Sequence, residues 1–541
     1  MFSTRRAAFL IFGFLAYLFL RGIGDHGLLD PLEGLNAGVS LSMAIRGDLL
    51  HPAFGSLPYL GKTMGFWWLN ALGLRLFGWM EFAVRFFPAL GALGTAFAAW
   101  LLARRMGGAR AANYAAVIAG SSLLTYIASQ LAAPHTLFAY FTSLALVGIV
   151  YGLQERRFFA LLHVFSVLAF IVYGPAGFLL PWLTLFLYAA FIEDERIFRN
   201  ALSYWPGLAA TFLGGGGYLL LLYFKNPFLL DMMRFSPASP AFGSFFSSLL
   251  LLFVGLYPWI GTFPEAFFIV FSRKRGFLWL RHGREILLVF WFAVFAVYGL
   301  FSGDGLALVA VLPASGTLAA LYLANAAENG QVKPLQRLVL FEILFFIPLL
   351  MGGLLRIVIS DVLRSTLLSL LPWTFFCGLF LFAGWFYAKT KQPRKQMIHM
   401  CLTSLLAMLP LAGVFDLWAE ATSLRNVGRY LREGREEGDA LVQYAMNRPS
   451  IFFYTAKESL LIDTDALPQI AGQRGLDPQV LQTVWNWPRR VFMIVDRKQQ
   501  FPPSMPQEVY NLYDDGGCVV LSNKRDYEKI ASPTPLAERI P

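Results

Sequence analysis

Residues 25–70 read DHGLLDPLEGLNAGVSLSMAIRGDLLHPAFGSLPYLGKTMGFWWLN. They gather Asp25, His26, Asp30, Glu33, Arg46, Asp48, His51 and Lys62 in a chain otherwise poor in ionisable groups. Asp30 and Glu33 stand three apart at the start of a predicted helix, so both carboxylates can point into one cavity. There either could act as a general base toward an acceptor hydroxyl. The same spacing makes a capping box, with Asp30 at the N-cap, Pro31 at the first helical position and Glu33 at the third. Spacing leaves cap and catalysis equally open, and both can hold together. The helix is expected over Pro31 to Arg46, with Leu32, Leu35, Val39 and Met43 on its apolar face. Arg46-Gly47-Asp48 then ends it, Gly47 lying just past the last turn.

Lys62 follows Tyr59 in PYLGKTMGFWW. In a dry cavity its ammonium could stabilise a phosphate leaving group. Ahead of an aromatic belt it could equally snorkel to lipid headgroups. Arg85 lies inside an apolar run, where a cation costs about 2.5–3.5 kcal/mol near the centre of a span; that cost argues for a functional or network role. Tyr59, Asp48, Lys62, Arg85 and His135 are the candidate substrate-binding residues, and Asp30 and Glu33 the candidate catalytic ones. His135 sits at a hairpin tip in SQLAAPHTLFAYF, where a lone His is more often structural than catalytic.

These residues need elements to hold them. The chain has 541 residues, 57% of them hydrophobic and only 14% charged. Long apolar runs recur from Ala7 to Trp418, the mark of a polytopic helical membrane protein. The net charge of +11 sits mostly in short loops, as the positive-inside rule requires. It forms no aromatic-interleaved basic patch, which argues against nucleic acid. Cys377, Cys401 and Cys518 offer neither a disulfide framework nor metal spacing.

The first span is expected at about Ala7 to Gly24, retained rather than cleaved. Others are expected near 82–102, 112–132, 135–153, 158–192 (a pair broken at Tyr173-Gly174-Pro175), 203–223, 246–271, 286–302, 305–324, 338–357, 366–388 and 397–418. Tyr257-Pro258-Trp259 marks a kink or an interface anchor within 246–271. The total is about thirteen spans, which puts the N-terminus in the cytoplasm and the tail outside. Residues 1–418 form the membrane domain, with an active-site loop at 25–80. Residues 419–541 read as a small soluble α/β domain. In it SIFFYT (450–455), RVFMIVD (490–496) and CVVLSN (518–523) look like buried strands, and GREEGDALVQYAMNR (434–448) like an amphipathic helix.

The order of features resembles a known family. A first span precedes a long loop with an early acid, Gly47-Asp48, Lys62 before aromatics, Asn70 and then Arg85. Gly174-Pro175, Tyr257-Pro258-Trp259 and Pro313 follow. This order is similar to the GT-C glycosyltransferases of the aminoarabinose transferase (ArnT) and protein O-mannosyltransferase type. The resemblance implies a multi-pass enzyme of the bacterial inner membrane with a periplasmic tail. It implies an inverting transfer of a sugar from a polyprenyl-phosphate donor to a lipid, glycan or protein acceptor. A first-loop acid would activate the acceptor and cations would hold the phosphate. No cofactor is expected, and a metal is not favoured.

The chain departs from the family at several positions. Leu32-Glu33 stands where Asp-Glu is usual, so Asp30 would act from one turn away. His135 falls near a second Asp, Gly61 replaces the acid before the loop Lys, and Tyr173 replaces a Lys before Gly-Pro. The loop at 225–243 lacks a His. A non-catalytic polyprenyl-lipid binder of the same fold is the alternative reading.

Overall fold

The computed structural model describes residues 5–59, 64–225, 242–271, 283–338, 392–411, 422–436, 438–497 and 509–525, with isolated positions between them. The expected spans at 338–357 and 366–388 lie almost wholly outside the described residues, and Lys62 lies outside them too. The chain forms two compact units. One comprises Met1–Arg21, Pro88–Tyr223 and Met233–Gly413; the other comprises Gly22–Phe87, Phe224–Met232 and Val414–Pro541. The loop after the first helix thus packs with the tail.

The chain opens with helices α1 (Arg5–Leu20), α2 (Leu32–Arg46), α3 (Gly65–Phe77), α4 (Glu81–Gly120), α5 (Leu123–Ser129), α6 (His135–Gly152), α7 (Phe159–Tyr173) and α8 (Pro175–Phe191). Apolar helices make up the first unit. Among the described residues six are long and apolar enough to cross a membrane: Glu81–Gly120, His135–Gly152, Arg156–Tyr173, Trp205–Lys225, Arg284–Phe301 and Gly305–Glu328. The helix α4 carries what the sequence suggested as two spans. It breaks at Gly108, whose φ of 82° suits glycine, beside the basic residues expected between those spans.

The run 246–271 is not one straight span. Its halves, Ser244–Gly255 and Ile260–Phe271, meet at 91°. Pro258 lacks a backbone N–H, and the bend is tied to the protein through one backbone carbonyl and one indole. The Leu123 N–H donates to Tyr257 O at 2.9 Å, and the Trp259 indole donates to Ser121 Oγ at 3.0 Å.

In the second unit a small hairpin, β1 (Ala53–Phe54) with β2 (Leu57–Pro58), follows α2. The tail adds helices α9 (Arg425–Gly434), α10 (Ser450–Thr455) and α11 (Val480–Trp485). It also adds strands β3 (Ala440–Tyr444), β4 (Leu460–Ile462), β5 (Gly475–Leu476), β6 (Val491–Asp496), β7 (Tyr510–Asp514) and β8 (Cys518–Ser522). The sheet order is β5-β4-β3-β6-β8-β7. Strand β3 is parallel to β4 and β6, while β8 runs antiparallel to β6.

Two expectations for the tail reverse. The segment within 434–448 expected to be a helix is strand β3. It is buried at all five positions, and a strand covered on both faces shows no clean alternation. SIFFYT is helix α10, not a strand. Its Ser-Ile-Phe-Phe-Tyr-Thr residues are all buried, so tertiary packing overrides their β preference. The strands expected at 490–496 and 518–523 are β6 and β8.

Candidate functional site

The backbone from Ile23 to Gly27 runs with its carbonyls turned to two guanidinium groups. Arg85 Nη1 donates to Ile23 O and His26 O, both at 2.8 Å, and Nη2 to Gly27 O at 2.9 Å. Arg425 donates to Asp25 O, and to Gly24 O at 3.3 Å. Five consecutive carbonyls are therefore fixed by one arginine from α4 and one from the tail. The planar fork of Arg suits this work, because its donors point in set directions.

Arg85 also grips Glu33 side-on. Its Nε donates to Oε1 at 2.8 Å and its Nη2 to Oε2 at 2.7 Å. Both side chains are wholly buried. Glu33 Oε2 accepts the Leu29 N–H as well, at 2.9 Å. All five N–H donors of Arg85 are thus in use within the protein. Arg85, expected to bind phosphate or to serve a network, here clamps the first loop. Glu33, expected as a catalytic acid, is the buried counter-ion of that clamp.

Asp30 does not cap its own helix. The start of α2 has no side-chain cap. Asp30 Oδ1 instead accepts the Ser450 N–H at 2.8 Å, and Oδ2 accepts the Ser450 hydroxyl, so its carboxylate caps α10 in the tail. Burial pushes the Asp30 carboxyl up to about 7, against the hydrogen bonds from Ser450 and the nearby charge of Arg448. Burial, with the charge of Arg85, pulls the His26 imidazole down to about 4. The tail contributes again through Tyr454, which accepts the Leu28 N–H at 2.8 Å and donates to Glu81 Oε1 at 3.2 Å.

The other sequence-marked residues in this unit have local work. Asp48 Oδ1 accepts the N–H groups of Leu50 and His51 at 3.0 and 3.2 Å. Its Oδ2 lies 2.9 Å from His51 Nδ1. The Tyr59 ring meets Trp67 edge to face at 4.9 Å between centroids, and burial pushes its hydroxyl up.

The first unit holds a separate polar cluster at one end of its bundle. His135 begins α6, and its Nε2 lies 2.8 and 2.9 Å from the two oxygens of Asp304. Tyr173, the last residue of α7, donates to Asp304 Oδ2 at 2.7 Å. His135 is 5% exposed, and its Nδ1 has no hydrogen-bond partner among the described residues. Nothing in the sequence marked Asp304, Ser450 or Arg425, because each partner lies 169 or more residues from its mate.

Comparisons agree with this architecture. A family model described as dolichyl-phosphate-mannose-protein mannosyltransferase matches residues 61–214. The undecaprenyl phosphate-alpha-4-amino-4-deoxy-L-arabinose arabinosyl transferase 2 of Pseudomonas fluorescens (strain Pf0-1) is 25% identical over 295 residues, 50% of this chain and 52% of its own. The corresponding transferase of Edwardsiella ictaluri (strain 93-146) is 27% identical over 261 residues, 44% and 46% of the two chains. The chain spans about half the length of the curated relatives it matches. In structure, ArnT from Cupriavidus metallidurans bound to undecaprenyl phosphate superposes with a TM-score of 0.80 at 18% identity, over 97% of this chain and 99% of that one.

The fold these features define is the GT-C fold, as in ArnT. Within it the chain resembles the ArnT type, as the order of its loop motifs predicts.

Proposed function

We propose that the chain is a membrane glycosyltransferase that takes a sugar from an undecaprenyl-phosphate donor. It passes the sugar to a lipid, glycan or protein acceptor at the periplasmic face of the bacterial inner membrane. The observation that carries this reading is the likeness in fold to ArnT over almost the whole chain, joined to an order of early acid, Asp48, Lys62 and Arg85 along the sequence that resembles the family's.

In this reading the acceptor oxygen attacks the anomeric carbon from the face opposite the phosphate. The bond to the phosphate breaks, and polyprenyl phosphate leaves with its electron pair. Lys62 steadies that leaving group. Asp30, pushed up to about 7, is suited to take the acceptor proton near neutral pH. Glu33 and Arg85 keep the loop in shape. The N-terminus is cytoplasmic and the tail periplasmic.

One finding favours a second reading, a non-catalytic lipid binder of the same fold: both candidate catalytic acids, Asp30 and Glu33, are engaged by protein partners. The test uses the purified full chain in lipid nanodiscs with undecaprenyl-phosphate 4-amino-4-deoxy-L-arabinose and a bacterial envelope extract as acceptor. Release of undecaprenyl phosphate with label in the extract is expected. Binding of the donor without turnover would leave the lipid-binding reading in its place.

A further inference from the structure

Asp30 is the one candidate acid of the first loop whose holder lies in the tail. Its carboxylate meets Ser450 twice, once at the backbone N–H and once at the hydroxyl. The approach is built for close contact. A Cβ on Gly34, one turn into α2, would fall 2.1 Å from Asp30 Oδ1 and 2.4 Å from Ser450 N. Only glycine leaves room for the carboxylate and the start of α10 to share that space.

We infer that Ser450 is a positioning residue for the transfer reaction, fixing the orientation and the protonation of Asp30 from the tail. This rests on the proposed transfer reading with Asp30 as the proton acceptor. A carboxylate held at both oxygens cannot turn away, so its free lone pairs keep one direction. The two Ser450 donors also favour the ionised form, which is the form a general base needs. Two charged groups act on Asp30 alongside them: Arg448 favours the ionised state, and Glu33, itself paired with Arg85, opposes it.

A plain helix cap gives a different result. Ser450→Ala keeps the backbone N–H on Asp30 Oδ1, so α10 keeps its cap and the chain stays folded. It removes only the hydroxyl donor. As a positioning residue, Ser450→Ala should move the acid limb of the kcat–pH profile to higher pH by about half a unit or more. That is a loss of about threefold or more in kcat at pH 6.5. KM for undecaprenyl-phosphate 4-amino-4-deoxy-L-arabinose should stay unchanged, and Ser450→Thr should restore the wild-type limb.

The measurement is release of undecaprenyl phosphate from pH 5.5 to 8.5, with unfolding temperatures recorded for each variant. An unmoved limb in Ser450→Ala, with Asp30→Asn inactive, overturns the role of Ser450 alone. Near-normal turnover in Asp30→Asn overturns the role of Asp30 and the inference with it.

Discussion

Glu33 and Arg85 lie 52 residues apart in the chain and meet as a two-bond ion pair with neither side chain reaching solvent. Three backbone carbonyls take the remaining donors of the same guanidinium. Removing one partner of a buried pair leaves an uncompensated charge and costs about 3–5 kcal/mol. Glu33→Gln should therefore lower the unfolding temperature sharply. The double variant Glu33→Leu/Arg85→Met should not recover it, because the carbonyls of Ile23, His26 and Gly27 lose their donors too. Scanning fluorimetry checks this. A stable but inactive Glu33→Gln protein would return Glu33 to the catalytic role.

Asp30 and His26 should tilt stability against pH in opposite directions. The Asp30 carboxyl titrates near 7 when folded, above its ordinary 3.8. The folded state holds that proton longer, so stability falls as pH rises from about 4 to about 7. His26 titrates near 4 when folded, below its ordinary 6.5. The unfolded state takes up that proton first, so stability falls as pH drops from about 6.5 to about 4. Asp30→Asn should leave a profile that rises with pH, and His26→Gln one that falls. Unfolding temperatures between pH 4 and 8 decide it; identical slopes in wild type and both variants would contradict the assignment.

Lys62 carries the phosphate in the proposed function. Lys62→Ala should weaken binding of undecaprenyl phosphate about tenfold, or about 1.4 kcal/mol, with the unfolding temperature of the empty protein unchanged. Binding is measured by titration in nanodiscs. Affinity equal to wild type would remove Lys62 from the site.

The cluster of His135, Tyr173 and Asp304 ties the start of α6, the end of α7 and the loop before Gly305–Val311 to one carboxylate. Asp304→Leu takes away the acceptor of both donors. A hydrogen bond to a charged group contributes about 1.5–3 kcal/mol, so a clear drop in unfolding temperature is expected. Asp304→Asn should lose less, since its amide oxygen can still accept one of them. Equal unfolding temperatures for wild type and Asp304→Leu would show that the cluster does no structural work.

Much of the membrane architecture was legible because lipid imposes long apolar runs. Helix α6 begins and ends within a residue of its expected bounds, and the turn at Gly174-Pro175 lies where the backbone chemistry requires one. The tail was harder. Strand β3 sits in the middle of a sheet, and burial on both faces removes the alternation that identifies a strand. Helix α10 is short and aromatic, and it is specified by packing rather than by its own residues. Within the site, the acids were found but not their partners. Asp30 at the head of a Pro-containing helix has the spacing of a local cap. No pattern around it announces that the hydrogen bonds go to Ser450.

The bond between Asp30 and Ser450 also sets a clock. Asp30 is made 420 residues before the serine that holds it. At roughly 5–20 residues per second of synthesis, that is a wait of about 20–80 s. The first loop leaves the ribosome early, yet it cannot take its final shape until the sheet-forming tail has followed it. A ribosome stalled before residue 450 would therefore leave a chain with its spans made and its acid unplaced.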